Sequence, residues 1–168
     1  MLSRRHLTLA GLALALASAL SRRSRANPAS PDNAAEAFEI TRTDAEWRRT
    51  LTPQQYEVLR QHGTERPGSS PLDKTYAPGE YRCAGCGLPL FSSETKYDSG
   101  TGWPSFYAPV ENAVGTSTDH KLVYPRTEVH CRRCGGHLGH VFDDGPPPTG
   151  KRYCMNGVAL TFHPQEGS

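Results

Sequence analysis

The sequence lacks long hydrophobic runs and has little overall hydrophobic character. Hydrophobic residues make up 36% of its 168 residues, and the mean hydropathy is -0.61. These values exclude a protein with several membrane spans, because each span needs about 20 consecutive apolar residues. Glycine and proline are not scarce, at 16 and 14 residues, which favours many turns and short strands over a helical bundle. A chain of this length suits one domain with its own core.

The sequence also lacks a basic excess once its amino terminus is set aside. The formal net charge is +2, but residues 1–26 contain five arginines and no acidic residue. The remaining 14 basic and 17 acidic residues give a balance of -3. The composition therefore gives no indication of nucleic-acid binding, which normally needs a basic patch.

The amino terminus has the pattern of an export signal. Arg4 and Arg5 precede a short, alanine-rich apolar run at positions 7–20, and small residues follow it. We predict a signal peptide over residues 1–26 with cleavage before Asn27, and the paired arginines favour the twin-arginine route. The predicted destination is the bacterial periplasm. An ordinary secretion signal and an uncleaved membrane anchor stay open as alternatives.

The rest of the chain divides into a linker and one domain. Residues 27–40 are rich in proline, alanine, serine and asparagine, which predicts a flexible linker. The domain then spans residues 41–168. Two helix starts are predicted near its beginning, at Thr43 and Thr52, each followed three residues later by Glu or Gln. Gly63 is expected to close the second helix.

Short apolar runs separated by glycine and proline fill the remainder of the domain. Such runs are typical of short strands in an antiparallel sheet. They read EYRCAGCGLPLF, KLVYPRTEVHC, HLGHVF and RYCMNGVALTF.

Four of the five cysteines form two C-x-x-C pairs, each followed by glycine. A two-residue spacer lets both thiolates of a pair face one ion, and two such pairs provide a closed tetrahedral site of the structural zinc type. Two disulfides, which an exported protein could favour, and a redox-active pair are the alternatives. The predicted zinc ligands are Cys83, Cys86, Cys131 and Cys134.

The fifth cysteine, Cys154, has no partner in this scheme. It could be an inert buried residue, half of an intermolecular bridge, or a nucleophile. On a strand, alternate positions share one face, so Arg152 and Asn156 would point the same way as Cys154. A thiolate needs a nearby cation or proton acceptor to lower its pKa. His137 and His140 are candidates for that role.

Four stretches of the sequence resemble the zinc-containing methionine-R-sulfoxide reductases of the B type. They lie within residues 42–163 and read EWRRTLTPQQYEVLRQHGTERP, CAGCGLPLFSSETKYDSGTGWPSF, CRRCGGHLGHVFDDGP and KRYCMNGVALTF. The resemblance implies a mainly β fold, in which two antiparallel sheets form a β-tent with N-terminal helices and a four-cysteine zinc site.

The resemblance also implies an active site. Cys154 matches the catalytic cysteine, and Trp103 matches the indole that lines the pocket for the substrate's methyl group. Phe142 is expected to be a second substrate-binding residue. The other residues that fall on or beside the family's catalytic positions are His137, His140, Asp144, Arg152 and Asn156.

These residue types suit reduction of the R epimer of methionine sulfoxide, mainly in oxidised proteins or peptides. The Cys154 thiolate would attack the sulfoxide sulfur and leave methionine and a cysteine sulfenic acid. His140, with the second histidine beside it, would donate or relay protons. Asn156 is expected to orient the sulfoxide oxygen or the imidazole. Arg152 and Asp144 are expected to form an ion pair that shapes the pocket.

The sequence departs from the family's pattern at two positions. Many members carry a second redox cysteine where this chain has Thr101, and relatives commonly have serine where it has Gly157. With four cysteines assigned to zinc, no thiol of the chain is left to resolve the sulfenic acid on Cys154. We therefore predict a one-cysteine enzyme that an external thiol, such as a thioredoxin-like donor, regenerates. A monomer is the expected state.

Two other functions stay open from the sequence alone. One is a zinc-ribbon interaction module without catalysis, which would leave Cys154 and Trp103 unexplained. The other is a catalytically inactive zinc-binding relative that binds oxidised methionine or a partner protein. Thr101, in place of a resolving cysteine, is the observation that keeps this second alternative open.

Overall fold

The computed structural model describes residues 38–122 and 124–165 of the chain. These residues form two short α-helices, α1 (Asp44–Thr50) and α2 (Pro53–Gln61). Three 3-10 helices cover Pro71–Lys74, Ser93–Thr95 and Gly157–Ala159. The strands are β1 (Gly79–Cys83), β2 (Pro89–Ser92), β3 (Lys96–Tyr97), β4 (Ser105–Phe106), β5 (Val114–Asp119), β6 (Arg126–Cys131), β7 (His137–Phe142), β8 (Arg152–Met155) and β9 (Leu160–Pro164).

The strands form two sheets in which neighbouring strands run antiparallel. The smaller sheet has the strand order β2-β1-β9, and the larger has the order β3-β4-β8-β7-β6-β5. Strand β8, which carries Cys154, lies inside the larger sheet between β4 and β7. The predicted architecture of two antiparallel sheets with N-terminal helices is confirmed.

Aromatic side chains of the two sheets meet in the hydrophobic core. Tyr81 of β1 and Phe91 of β2 belong to the smaller sheet, and Phe106 of β4 belongs to the larger. The Phe106 ring is stacked on Phe91 at a centroid distance of 4.3 Å and meets Tyr81 at 4.9 Å. All three side chains are fully buried. Burial of such large rings is the main source of stability expected for the contact between the sheets.

Both helices begin as the sequence predicts. The Thr43 side chain accepts a hydrogen bond from the Glu46 N–H, and the Glu46 carboxylate accepts one from the Thr43 N–H. Thr52 and Gln55 repeat this reciprocal pair, with proline at the first helical position. Each capping box satisfies amide donors that the first helical turn leaves without partners.

The end of α2 involves both His62 and Gly63. Gly63 was expected to close the helix, and the residue that takes the left-handed conformation there is His62, with φ at 54°. The amide of Gly63 still donates to the Glu57 carbonyl at 2.9 Å and so satisfies a carbonyl of the last turn. A left-handed histidine costs conformational energy. The His62 ring offsets that cost by contacting Glu128, with Nδ1 2.9 Å from Oε1.

Two features of the larger sheet do not follow the predicted strands. Strand β5 was not predicted, because its sequence VGTSTD is polar and lies at the edge of the sheet, where a strand need not bury apolar residues. Strand β6 begins at Arg126, whereas the apolar pattern began at Lys121. Pro125 lies just before the strand, and proline cannot donate a hydrogen bond to a neighbouring strand.

A bulge in β7 brings two histidines to the same side of the sheet. His130 of β6 pairs with His137, but the adjacent Val129 pairs with Gly139, so Leu138 is an extra residue in β7. Residues three apart on a regular strand point to opposite faces. The bulge changes that alternation, and the rings of His137 and His140 lie 5.3 Å apart between centroids.

The predicted signal peptide and most of the predicted linker lie outside the described residues. The last three linker positions are described, and they contact the domain. The Ile40 amide donates to the Arg133 carbonyl at 2.9 Å, and the Phe38 ring meets the His130 ring edge-on at 5.7 Å. Across residues 38–122 and 124–165, no helix is long and apolar enough to cross a membrane.

Gly139 allows β7 and β8 to pair closely beside Cys154. A Cβ atom at this position would lie 2.1 Å from the Cys154 carbonyl oxygen and 3.0 Å from the Met155 Cα. Both obstacles are backbone atoms of β8, which cannot move without shifting the strand. Position 139 therefore has no room for any side chain.

Replacing Gly139 by alanine is expected to destabilise the protein by ~1–3 kcal/mol, the usual cost of overpacking. The free energy of unfolding from urea titrations measures this loss. Gly85→Ala is a matched control, because a Cβ there meets no atom closer than 3.6 Å and its φ is not left-handed. Equal free energies of unfolding for the two variants would show that β7 and β8 leave room for a side chain at position 139.

Candidate active site and metal centre

Four thiols from the two sheets form a compact cluster, here called the cysteine cluster. The Cys83 and Cys134 sulfurs are 3.7 Å apart, and the Cys86 and Cys131 sulfurs are 3.5 Å apart. All four sulfurs lie within 4.8 Å of one another. These separations exceed the S–S bond length of about 2.05 Å, and all four cysteines are free. The alternative of two disulfides is therefore not the arrangement in this structure.

The two C-x-x-C turns are built in the same way. Gly87 and Gly135 each follow the second cysteine of a turn and have φ values of 73° and 66°. Their amides donate to the carbonyls of Cys83 and Cys131, both at 2.8 Å. Glycine adopts this left-handed conformation without strain. The turns therefore close tightly enough to direct two sulfurs to one point.

The cysteine cluster fits a tetrahedral metal ion. Zinc–sulfur bonds of about 2.3 Å would place the four sulfurs about 3.8 Å apart, close to the two separations given above. The sulfurs also perturb one another, because hydrogen bonding with Cys131 raises the pKa of Cys83 and lowers that of Cys86. Four thiols this close cannot all ionise without a cation among them. Since the chain supplies four ligands, the site has no open position for a substrate.

Cys154 lies in a small cleft on the larger sheet, here called the Cys154 cleft. Its volume is about 120 Å³. Cys154 is half-buried and pairs across the sheet with Ser105 of β4 on one side and His140 of β7 on the other. The cleft is lined by Thr64, Trp103, Arg126, Gly139, His140, Phe142, Cys154 and Asn156.

The cleft unites five of the eight residues that the sequence assigned to catalysis or substrate binding. Those five are Trp103, His140, Phe142, Cys154 and Asn156. The other three do not line it. His137 lies behind His140, and Arg152 and Asp144 form the predicted ion pair beside the cleft, with two 2.8 Å hydrogen bonds between guanidinium and carboxylate. The Arg152 guanidinium also lies over the Phe142 ring, 4.4 Å from its centroid.

A network of three hydroxyl groups reaches the Cys154 sulfur through Thr101. Thr101 Oγ1 is 3.9 Å from Sγ, and Ser99 Oγ is 2.8 Å from Thr101 Oγ1 and 2.7 Å from Ser105 Oγ. Burial raises the pKa of Cys154, while Thr101 and Arg152 act in the opposite direction. The burial effect prevails, so the resting residue holds its proton near neutral pH until a base removes it.

His140 is held by a carboxylate that the sequence did not single out. Its Nε2 lies 2.8 Å from Oδ2 of Asp119, the last residue of β5. The same oxygen accepts a hydrogen bond from the Arg126 guanidinium at 2.7 Å. Burial lowers the pKa of His140, although Asp119 acts against this. The ring is therefore mainly neutral near pH 7 and can accept a proton.

His137 belongs to a second group that the sequence did not reveal. Its Nδ1 lies 2.7 Å from Oε1 of Glu128, and the His62 Nδ1 lies 2.9 Å from the same oxygen. The Ser117 hydroxyl donates to the other carboxylate oxygen, Oε2. Burial favours the neutral acid, but the hydrogen bonds from His137 and Ser117 outweigh it and lower the pKa of Glu128 to about 2.

Asn156 lines the cleft and is tied to the main chain, so the structure shows no contact with the imidazole, and orientation of the sulfoxide oxygen stays a prediction. Its Nδ2 donates to the Leu138 carbonyl at 3.0 Å, and its Oδ1 accepts from the Glu65 amide at 3.0 Å. The side chain is buried, at 3% exposure. Both ends of the amide are thus used to fix the edge of the cleft, and orientation of the imidazole by Asn156 is not what the structure shows.

Glu65 connects the loop after α2 to the cleft at four points. Its carboxylate accepts hydrogen bonds from the amides of Gly157 and Val158, at 2.6 and 2.9 Å. Its carbonyl accepts from the Trp103 indole N–H at 3.2 Å, and its amide donates to Asn156. Glu65 therefore positions the indole that the sequence assigned to substrate binding.

Gly157 packs directly against Ser70. A Cβ at position 157 would lie 2.1 Å from the Ser70 Oγ and 2.4 Å from its Cβ. The Ser70 hydroxyl also accepts a hydrogen bond from the Leu72 amide, which caps the 3-10 helix Pro71–Lys74. In this chain, the serine side chain beside the nucleophile's strand thus comes from position 70 and not from position 157.

Comparison with known proteins gives concordant matches over most of the chain. The SelR domain model matches residues 51–164. The peptide methionine sulfoxide reductase MsrB of Thiobacillus denitrificans is 56% identical over 126 residues, which cover 74% of this chain and 96% of that protein. Its counterpart from Agrobacterium fabrum is 54% identical over 74% of this chain and 93% of its own length. The chloroplastic peptide methionine sulfoxide reductase B1 of Arabidopsis thaliana is 50% identical over 81% of this chain and 69% of its own length.

The packing of Gly157 on Ser70 predicts an energetic coupling between the two positions. Gly157→Ser is expected to destabilise the protein by ~1–3 kcal/mol, because the new side chain overlaps Ser70. Adding Ser70→Gly should recover about 1 kcal/mol or more of that loss, as expected for residues in contact. Urea unfolding of the two single variants and the double variant measures the coupling. Strictly additive changes would contradict it.

Proposed function

We propose that this chain, which belongs to the SelR-domain family of methionine-R-sulfoxide reductases of the B type, uses Cys154 as the nucleophile of that reaction. Family membership supports methionine sulfoxide reduction itself, since the match covers most of the chain and of its relatives. The observation that carries the assignment of Cys154 is its place in a cleft that it shares with Trp103 and His140. An inactive, binding-only relative is not favoured by these matches.

The Cys154 cleft suits a single methionine sulfoxide side chain. Its volume of about 120 Å³ is of the size of one amino-acid side chain. Trp103 and Phe142 provide aromatic surfaces against which the substrate's methyl group would pack. Their fixed positions relative to the sulfur and the imidazole would favour one epimer over the other, because the two exchange the places of the oxygen and the lone pair. Family membership indicates that the favoured epimer is R.

The first chemical step transfers oxygen from the substrate to the protein. The Cys154 sulfur attacks the sulfoxide sulfur, and the oxygen is transferred to Cys154 as methionine leaves. The thiol and the sulfoxide become a cysteine sulfenic acid and a thioether, so the atoms balance. His140 is placed to assist, because it pairs with Cys154 across β7 and β8 and lines the same cleft. A neutral His140 ring would take the thiol proton and then return it to the oxygen.

The residues around His140 hold it for this role. Asp119 accepts the hydrogen of Nε2 and so leaves Nδ1 as the basic nitrogen. The tautomer follows from the acceptor-only character of the carboxylate. The Lys121 amide, which donates to Oδ1 at 2.8 Å, lowers the pKa of Asp119 most, and the Arg126 guanidinium at 2.7 Å from Oδ2 acts in the same direction. Asp119 and Arg126 are thus positioning residues in this mechanism.

The second chemical step requires a thiol from outside the chain. The other four cysteines belong to the cysteine cluster, and position 101 next to the Cys154 sulfur carries threonine. An external thiol attacks the sulfenic acid, releases water and forms a mixed disulfide with Cys154. A second thiol reduces that disulfide and restores the enzyme. A thioredoxin-like protein is the proposed donor.

The metal proposed for the cysteine cluster is zinc. A four-thiolate tetrahedral site is typical of structural zinc, and the sulfur separations fit it. When bound, zinc would join the end of β1 in one sheet to the end of β6 in the other. The four ligands hold the ion, which takes no part in the reaction.

The cellular setting is proposed from the sequence. The amino-terminal pattern supports export by the twin-arginine route to the periplasm, where oxidised proteins and peptides would be the substrates. That route carries folded proteins, so zinc could be inserted in the reducing cytoplasm. A monomer without nucleic-acid partners is the proposed working state.

Turnover is expected to depend on Cys154 and on the configuration of the substrate. The mature protein, assayed with each epimer of a dabsylated methionine sulfoxide and excess dithiothreitol, should reduce the R form only. Cys154→Ser should reduce turnover to background, because serine cannot accept the oxygen. Dithiothreitol replaces the unknown donor, so the lack of a resolving cysteine cannot hide activity.

The control for this assay is the metal content and unfolding profile of Cys154→Ser, which should match those of the parent protein. Turnover that persists in the variant would remove Cys154 from the mechanism. Folded, metal-containing parent protein that reduces neither epimer would favour the binding-only alternative.

A cysteine at position 101 is expected to restore an internal resolving step. Thr101 Oγ1 lies 3.9 Å from the Cys154 sulfur, and a small side-chain movement would bring two sulfurs there to bonding distance. One equivalent of methionine-R-sulfoxide, added without reductant, should convert Thr101→Cys into a form in which the introduced sulfur is bonded to that of Cys154. Mass spectrometry of tryptic peptides would detect this disulfide.

Thr116→Cys is the matched control for the added thiol. Position 116 is exposed on β5, three strands away from β8 and hence about 14 Å distant at the usual strand spacing. This variant, like the parent protein, should accumulate the sulfenic acid, trapped with dimedone. Failure of Thr101→Cys to form the disulfide, while sulfenic acid still accumulates, would contradict the geometry of the cleft.

A further inference from the structure

We propose that His62, Glu128 and His137 form a second metal site, which binds a borderline divalent ion such as Zn²⁺ and thereby inhibits the reductase. The site is distinct from the cysteine cluster. The inhibitory consequence rests on the proposed function, whereas metal binding does not.

Three ligand atoms converge from three separate elements. Glu128 Oε1 of β6 lies 2.7 Å from the His137 Nδ1 of β7 and 2.9 Å from the His62 Nδ1 at the end of α2. All three atoms lie within 4.8 Å of one another. Two imidazole nitrogens and one carboxylate oxygen are a donor set that suits zinc, cobalt, nickel or copper, and it does not suit magnesium or calcium.

The carboxylate is oriented as the ligand of a metal site needs to be. The Ser117 hydroxyl donates to Oε2, which leaves Oε1 facing the two imidazoles. Hydrogen bonds of this kind to a ligating carboxylate commonly fix its orientation in metal sites. The left-handed conformation of His62, which a histidine seldom adopts, places its ring against the other two ligands.

The site is closed on the protein side and open on the solvent side. His137 and Glu128 are buried, at 2% and 9% side-chain exposure, whereas the His62 side chain is 47% exposed. A metal ion can therefore enter past His62 and complete its coordination with water. The second ring nitrogen of His137, Nε2, is buried and has no hydrogen-bond partner among the described residues. Nε2 therefore has no hydrogen bond to lose, and a rotation of the His137 ring toward an ion breaks only the contact of Nδ1 with Glu128, which the shared ion would replace.

Metal at this site would act on the Cys154 cleft through the two histidines of β7. The ring centroids of His137 and His140 are 5.3 Å apart, and His140 lines the cleft. An ion held by His137 would fix that ring in a new position and shift the His140 ring packed against it, away from its place beside Cys154. Inhibition is the consequence.

Binding is tested by titrating Zn²⁺ into tag-free protein that carries Cys154→Ser, which removes the one thiol outside the cysteine cluster. The metal content of the purified protein is measured first and should be one zinc per chain. Isothermal titration calorimetry should then detect one further equivalent. His62→Asn should weaken this second binding at least about tenfold, as loss of a ligand does. Asparagine is chosen because it tolerates the left-handed conformation.

His163→Ala is the matched control, because it removes an exposed histidine on the smaller sheet. It should leave the second equivalent unchanged. Glu128→Gln provides an independent test of the carboxylate ligand, and circular dichroism verifies its fold. No second equivalent in the parent titration, or equal affinity in His62→Asn, would overturn the site.

Inhibition is tested in protein that retains Cys154, with each variant's rate expressed relative to its own rate without added zinc. The zinc concentration that halves turnover should rise at least about tenfold in His62→Asn and stay unchanged in His163→Ala. Equal inhibition of parent and His62→Asn would mean that zinc acts elsewhere, for example on Cys154, and would overturn the inhibitory role. If the parent protein shows no turnover even without added zinc, the proposed function is refuted. The calorimetric result on metal binding would still hold.

Discussion

The cysteine cluster is the constraint on which the rest of the structure depends. Cys83 ends a strand of the smaller sheet and Cys131 ends a strand of the larger, so the four thiols join the two sheets at one point. Without an ion, four sulfurs this close would repel as thiolates or share protons as thiols. Metal binding removes that conflict and contributes directly to folding. The cluster also holds the turn between β6 and β7. It therefore fixes the position of β7 and of the two histidines on that strand.

A second set of contacts positions the reactive end of the sheet, and it starts from Glu65. This residue reaches from the loop after α2 to Trp103, Asn156 and the amide of Gly157. Burial raises the pKa of Glu65, and the hydrogen bonds from Val158 and Gly157 lower it in part. The cost of burying this carboxyl group is thus offset in part by two amides that directly follow Asn156. The indole and the end of the Cys154 strand are thus tied to one residue, the indole through the Glu65 carbonyl and the strand end through the Glu65 amide and carboxylate.

Local spacing in the sequence was sufficient to predict some of these features, and long-range pairing was needed for the others. The C-x-x-C turns and both capping boxes depend on residues within four positions, and the structure confirms them. Asp119 and Glu128 could not be found in this way, because they act across strands, and β5 has a polar sequence without an apolar pattern. The bulge at Leu138 was equally hidden, since it is defined by the register with β6. For Asp119 and Glu128, the available signal in the sequence was a polar segment that could form an edge strand near the two histidines.

Threonine at position 101 leaves the surroundings of the Cys154 sulfur closely packed, although it offers no thiol. Thr101 keeps an oxygen 3.9 Å from the Cys154 sulfur and joins Ser99 and Ser105 in a hydroxyl network. The space beside Gly157 is also filled by a hydroxyl-bearing side chain, because Ser70 packs there from another element. In both places, small polar side chains from other parts of the chain pack next to the strand that carries Cys154, so the surroundings of the thiol are closed without a second cysteine.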